Sequence, residues 1–482
     1  MSLKKIGKDY FYNLSLNVIN LVFPLLTFPY STRILGPDGI GRVNFAASLV
    51  GYLTFFSIFG IQVYGVREIA KSRDNPENLA RTFSSLASIN VLTSVASTLV
   101  YLVYVLFWYK NDQDLVLYSL FAFSVLFGGM AFDWLFAGTE RFRYITVRSA
   151  IVKLISLPLL FLLVKQKSDY VWYAGVILFA AVGSSLCNIW GARKLFNLRL
   201  AFSNWKYHWK NMARFFAITI ISATSVSLPP LFLGTYFEKT QVGFFSSAYK
   251  ILLIILSLSN SLGSVLLPRL SHAFEADRQH FERMIVHLGR FINALGIPMS
   301  VGLWFLADRV MVLAAGASFA GASFSLRLMA PIIFLSMSSS FYVQQVLYPQ
   351  KRESVVVVAT FFTAVFAASI GRFLILHYGL YGANASYFLT ELLLVVILFF
   401  ACVRGPSFSL DLWSLAKVLL SSVAMGVFLF WAEPLLPRSA YALLPLVVGG
   451  GVTFGMSMWI LREPLTIYVI QKVSSHLRRM DS

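Results

Sequence analysis

Apolar residues in this chain come in long, nearly unbroken runs rather than at every second or every third to fourth position. Fourteen runs can be marked, at 10–33, 42–66, 86–108, 115–138, 144–164, 171–195, 212–236, 242–267, 284–306, 324–347, 355–376, 381–403, 413–433 and 440–461. Each is close to the ~20 residues that a helix needs to cross a hydrocarbon core. Strands of a membrane barrel would alternate polar and apolar residues over about ten positions. The pattern predicts an all-α polytopic membrane protein of about 14 transmembrane helices.

The polar stretches between the runs add detail. TRILGPDGIGRVNF, Thr32–Phe45, packs Gly36, Pro37, Gly39 and Gly41 into one connection and predicts a tight hairpin between the first two spans. Arg33 and Arg42 stand at its edges. REIAKSRDNPENLAR, from Arg67, reads as an amphipathic surface helix. The longest polar interruption, Arg193–Asn211, predicts a hinge between two halves.

Composition agrees with the runs. Of 482 residues 58% are hydrophobic and 13% charged, whereas a soluble domain is about a quarter charged. The net charge of +19 would suggest nucleic acid in a soluble protein, but here its distribution explains it. Lys4, Lys5, Lys8, Arg67, Lys71, Arg73, Arg81, Arg141, Arg143, Arg193, Lys194, Arg269, Arg278, Arg283, Lys351, Arg352, Arg462 and Lys472 fall on one side of the alternating spans. The other side holds little beyond Lys110, Lys165, Lys167, Lys239, Arg309 and Arg438. The positive-inside rule then places both termini in the cytoplasm. The basic start MSLKKIGKDY enters the first run without a small-residue cleavage motif, so a retained first span is expected. Cys187 and Cys402 suggest neither disulfide nor metal. Without a Walker loop or a HExxH motif, no enzyme chemistry and no cofactor are expected.

The halves match weakly at an offset of 202: Gly41 meets Gly243, Ala46 meets Ala248, Arg67 meets Arg269, Arg81 meets Arg283, Asn17 meets Thr219 and Asn20 meets Ser222. An even number of spans separates the copies, which predicts parallel repeats with a substrate site at their interface. The expected organisation is an N-terminal lobe at 1–200, a C-terminal lobe at 201–403, and spans thirteen and fourteen with a tail at 404–482.

Polar groups inside the spans are the candidate site residues. Asn13, Asn17 and Asn20 share one helical face, suited to a cavity or to interhelical hydrogen bonds. Lys250, Arg372, Arg327 and Lys153 are the embedded cations, and their excess suits an anionic substrate. Snorkelling to the headgroups is the plainer role for Arg327 and Arg372. Asp133 and Glu391 are the embedded acids, candidates for ion coupling; Asp133 could instead pair with Lys153 or another base.

KKIGKDYFYNLSLNVINLVFPLLTFPYSTRILGPDGIGRVNFA, FGIQVYGVREIAKSRD and FDWLFAGTERFRYITVRS resemble Wzx-type polysaccharide flippases of the multidrug/oligosaccharidyl-lipid/polysaccharide exporter (MOP) superfamily. The resemblance implies two six-helix lobes around a central cavity, two extra helices and alternating access. The implied substrate is an undecaprenyl-pyrophosphate-linked oligosaccharide, moved from the cytoplasmic to the periplasmic leaflet of the bacterial inner membrane for O-antigen or other surface polysaccharide assembly. Implied partners are membrane lipids and the polysaccharide polymerase and chain-length machinery. Related lipid II flippases end their first helix with an arginine before a short apolar-apolar-Gly turn, which Arg33-Ile34-Leu35-Gly36 matches, and use a basic residue in the eighth helix, for which Lys250 stands here. Arg33, with only Thr235 opposite it in the repeat, is thus the expected substrate contact and Arg42 the expected snorkelling residue. A lipid II flippase and a cation-coupled multidrug exporter are the alternatives. A polymerase or ligase would need a larger outer loop than 307–323.

Overall fold

The computed structural model describes residues 3–195, 205–405, 408–409, 411–437, 440–464 and 466–467, with side chains throughout except at 3–11, 13–14, 17, 218, 221–226, 258–266, 268 and 440. Much of the expected hinge, 196–204, and the Asn17 side chain lie outside the described residues. The described residues are helical and contain no strand. They form two compact units, Met1–Gly243 and Phe244–Ser482.

In the first unit α1 (Leu3–Ile58), α2 (Ile61–Ser72), α3 (Pro76–Trp108), α4 (Leu115–Leu120), α5 (Ala122–Gly129), α6 (Asp133–Gly138), α7 (Phe142–Leu163), α8 (Tyr170–Leu195) and α9 (Trp205–Tyr236) follow one another. The expected hairpin between spans one and two is tighter than a loop. Helix α1 runs through it, broken only at Gly36, whose φ of 69° and ψ of −179° suit a residue without a Cβ. The stretch expected as one surface helix from Arg67 is split: REIAKS, 67–72, is the second half of the surface helix α2, which buries Ile61, Tyr64 and Ile69 and leaves Lys71 exposed beside Glu68, and the chain turns at 73–75 before α3. Asn75 then caps α3 by accepting from the Glu77 and Asn78 amides, with Pro76 at the first helical position. Trp134, Phe83, Phe136 and Ile69 form the buried core at this end. Helix α9 packs along α1, and the unit closes just after it.

In the second unit α10 (Lys239–Ala276, entering from the first), α11 (Arg278–Ala315), α12 (Ser323–Met329), α13 (Ile332–Phe341), α14 (Glu353–Phe366), α15 (Arg372–Val403), α16 (Leu412–Ala432) and α17 (Leu443–Ile460) follow. Gly379, at φ 53°, breaks α15 as Gly36 breaks α1. Arg309 ties the turn after α16: its guanidinium donates to Glu433 Oε1 at 2.8 Å and to the Pro437 and Leu436 carbonyls at 2.7 and 2.8 Å. A Cβ on Gly449 would lie 2.8 Å from the Phe428 ring, so the glycine run lets α17 approach α16 closely.

Among the described residues ten helices are long and apolar enough to cross a membrane, or eleven with the bent pair Ala317–Met329 and Ile332–Leu347. Val18–Ser72 and Glu353–Val403 each hold two of the expected spans, joined at Gly36 and Gly379. Helix α9 covers span seven. Leu99, Val103 and Phe107 on α3 and Leu420, Val423 and Phe430 on α16 are exposed, as lipid-facing side chains are.

Candidate functional site

Two polar constellations lie on neighbouring helices of the first unit. Lys153, on α7, donates to the Asn20 side-chain oxygen on α1 and sits 5.5 Å from the Phe23 ring centroid. Five residues earlier on α7, Arg148 donates to Asp133 Oδ1 at 2.9 Å, and the Asn188 amide on α8 donates to the same oxygen at 2.9 Å. Asp133 therefore pairs with Arg148 and not with Lys153. The Arg148 side chain is 8% exposed and that of Asp133 41%. Sequence reasoning passed over Arg148 and Asn188. Arg148 stands only a turn inside its span, where a headgroup role looks natural, and Asn188 carries no charge to mark it.

Arg42 overturns an expectation. It does not snorkel: its side chain is 17% exposed, with the guanidinium 2.7 Å from Asp38 and 2.8 Å from Asp114. Asp114 is buried and also accepts from the Tyr170 hydroxyl at 2.8 Å. Arg42 is held because the helix continues beyond Gly36 and carries it inward toward the segment before α4. Beside it the Lys239 ammonium lies 3.5 Å from the Phe45 ring centroid.

In the second unit Glu391, on α15, accepts from the Ser336 and Ser339 hydroxyls of α13 at 3.0 and 2.9 Å. Among the described residues it makes no ion pair. Tyr249 and Tyr387 meet edge to face nearby, at 5.5 Å. Lys250 follows Tyr249 on α10 and is half-buried. Arg327 has a partner, Asp308 at 2.7 Å, so its charge is held by the protein. Arg372 is exposed at the start of α15, and Arg33 is exposed one turn before the Gly36 break.

Near the start of α9, four residues before span seven, His208 is buried and meets the Tyr64 hydroxyl at 2.9 Å through Nδ1. Burial holds its imidazole below the usual histidine range.

Long apolar helices broken at single glycines and carrying polar groups define a polytopic membrane protein. Among solved structures the chain resembles the "Lipid II flippase MurJ, inward closed conformation", with TM-score 0.78 and 15% identity over 95% of this chain and 99% of that one. It also resembles an inward-facing multidrug resistance MATE family transporter of the MOP superfamily, with TM-score 0.59 and 13% identity over 82% and 96% of the two chains. The fold is thus that of the MOP membrane transporters. The chain belongs to the polysaccharide biosynthesis protein family, whose model matches residues 6–274. A relative in Escherichia coli (strain K12), named "Putative O-antigen transporter", is 26% identical over 68% of this chain and 80% of its own length. "Capsular polysaccharide biosynthesis protein CapF" of Staphylococcus aureus is 21% identical over 65% of this chain and 78% of its own.

Proposed function

We propose that this transporter flips undecaprenyl-pyrophosphate-linked oligosaccharide units from the cytoplasmic to the periplasmic leaflet by alternating access between its lobes, with both termini in the cytoplasm. Membership of the polysaccharide biosynthesis family over residues 6–274 carries the reading. The embedded cations Arg33, Lys250 and Arg372 would neutralise the pyrophosphate, Asn17, Asn20 and Lys153 would meet the headgroup's polar atoms, and the polyprenyl tail would stay in lipid. Arg327, already paired with Asp308, would contribute after that pair opens. Glu391 is the proposed coupling group, because its partners are hydroxyls rather than a fixed cation. Asp133, the other embedded acid, has a fixed cation in Arg148. Polymerase and chain-length proteins would take up the delivered units.

The MurJ-like fold keeps a lipid II flippase as a second reading. Its substrate shares the polyprenyl pyrophosphate, so the cations would act alike. Expression of Arg33→Ala and Lys250→Ala in a strain lacking its own copy tests the site. Loss of surface polysaccharide with normal protein level is expected; intact polysaccharide with both variants sinks the assignment.

A further inference from the structure

Asp133 is presented by a strained and expensive arrangement. Helices α5 and α6 are separate pieces of one apolar run, and Phe132, the last residue before α6, sits at φ 50°. A bulky side chain rarely adopts that left-handed conformation. The break holds Asp133 against Arg148 and Asn188, both nine-tenths or more buried. Arg148 Nε and Asn188 Oδ1 are buried without a hydrogen bond, so the pair is under-satisfied on its inner side. Strain and unmet polar groups in a membrane span mark a site with a task beyond packing.

The outer side of the site is open. Both hydrogen bonds to Asp133 end on Oδ1. Among the described residues Oδ2 accepts nothing, and the side chain is 41% exposed. A charged group exposed within a membrane span meets water or a polar ligand rather than lipid. A cation arriving there would meet the charge of Arg148 on the same carboxylate. A neutral hydroxyl meets no such repulsion and can donate to Oδ2 while the ion pair stays whole. Lys153 lies five residues, or about 7.5 Å of helix rise, beyond Arg148 on α7, and it donates to Asn20 of α1. They supply a donor and an amide within reach of the next hydroxyls of a polyol.

We propose that Asp133, positioned by Arg148 and Asn188, is the hydrogen-bond acceptor for a sugar hydroxyl of the carried glycan. This rests on the flippase reading above and assigns the first unit a share in sugar recognition. Arg148 and Asn188 are positioning residues and act through Asp133.

The test uses the full chain in lipid nanodiscs, titrated with undecaprenyl pyrophosphate and with the same lipid bearing the host's oligosaccharide. Binding is read by native mass spectrometry. Wild type should prefer the glycan-bearing lipid. Asp133→Asn and Asn188→Ala should each weaken that lipid about tenfold, the scale of one charge-assisted hydrogen bond, and leave the bare pyrophosphate within about twofold. Asn188→Ala keeps the test alive if Asp133→Asn does not fold. Equal weakening of both lipids, or none, overturns the assignment. Wild type binding both lipids equally overturns it too, while the flippase reading stands. Wild type binding neither defeats the flippase reading and this inference with it.

Discussion

Gly41 and Gly243, 202 residues apart and matched in the internal register, pack backbone to backbone. A Cβ on Gly243 would fall 2.0 Å from the Pro37 carbonyl oxygen, and one on Gly41 1.7 Å from that of Lys239. The segment after the α1 break and the start of α10 are thus seated on each other with no room for a side chain. Gly41→Ala or Gly243→Ala should lower stability by about 1–3 kcal/mol, the usual scale of overpacking. Thermal unfolding of the detergent-solubilised variants checks this, and an unchanged Tm would contradict the contact.

The Arg42–Asp114 pair is buried, and removing one partner strands the other charge. Arg42→Ala should destabilise by about 3–5 kcal/mol, and adding Asp114→Asn should recover part of the loss. By contrast Lys351→Ala, which breaks the exposed pair with Glu275 (side chains 78% and 65% exposed), should change stability by less than about 1 kcal/mol. Comparable losses from the two single changes would refute the difference.

His208 should make the protein acid-sensitive. Burial lowers its pKa from 6.5, so below that value the unfolded chain binds a proton that the folded chain resists. Stability is then full above pH 6.5 and falls as pH drops toward the lowered folded value. His208→Phe should flatten this slope. Tm measured from pH 8 to pH 5, wild type against variant, decides the matter; parallel curves would rule it out.

Glu391→Gln keeps the hydroxyl contacts but cannot bind a proton or balance sodium. Transport by this variant should persist at reduced rate and lose its response to an imposed ion gradient. Fluorescent lipid-linked sugar uptake in proteoliposomes measures both, and a wild-type gradient response in the variant would remove Glu391 from coupling.

The spans were legible because burial in lipid demands continuous apolar runs, and every one of the fourteen falls on helix. The α2 surface helix was visible as far as Ser72, since amphipathic spacing is local, but the Asn75-Pro76 cap that splits the stretch was passed over. The tight hairpin was legible from its Gly and Pro residues, but not that one glycine at positive φ, Gly36, makes the whole break. Partners were not legible. Asp133 and Arg148 are 15 residues apart, Arg42 and Asp114 72, and which charge meets which depends on helix packing that no short window contains. The same limit hid the hydroxyl partners of Glu391.

Mass spectrometry of lipid-linked oligosaccharides after removal of the protein tests the central claim most directly. The account predicts that undecaprenyl-pyrophosphate oligosaccharide accumulates, protected from a glycosidase added to the outside of intact spheroplasts. No accumulation, or accumulation open to that enzyme, would contradict it.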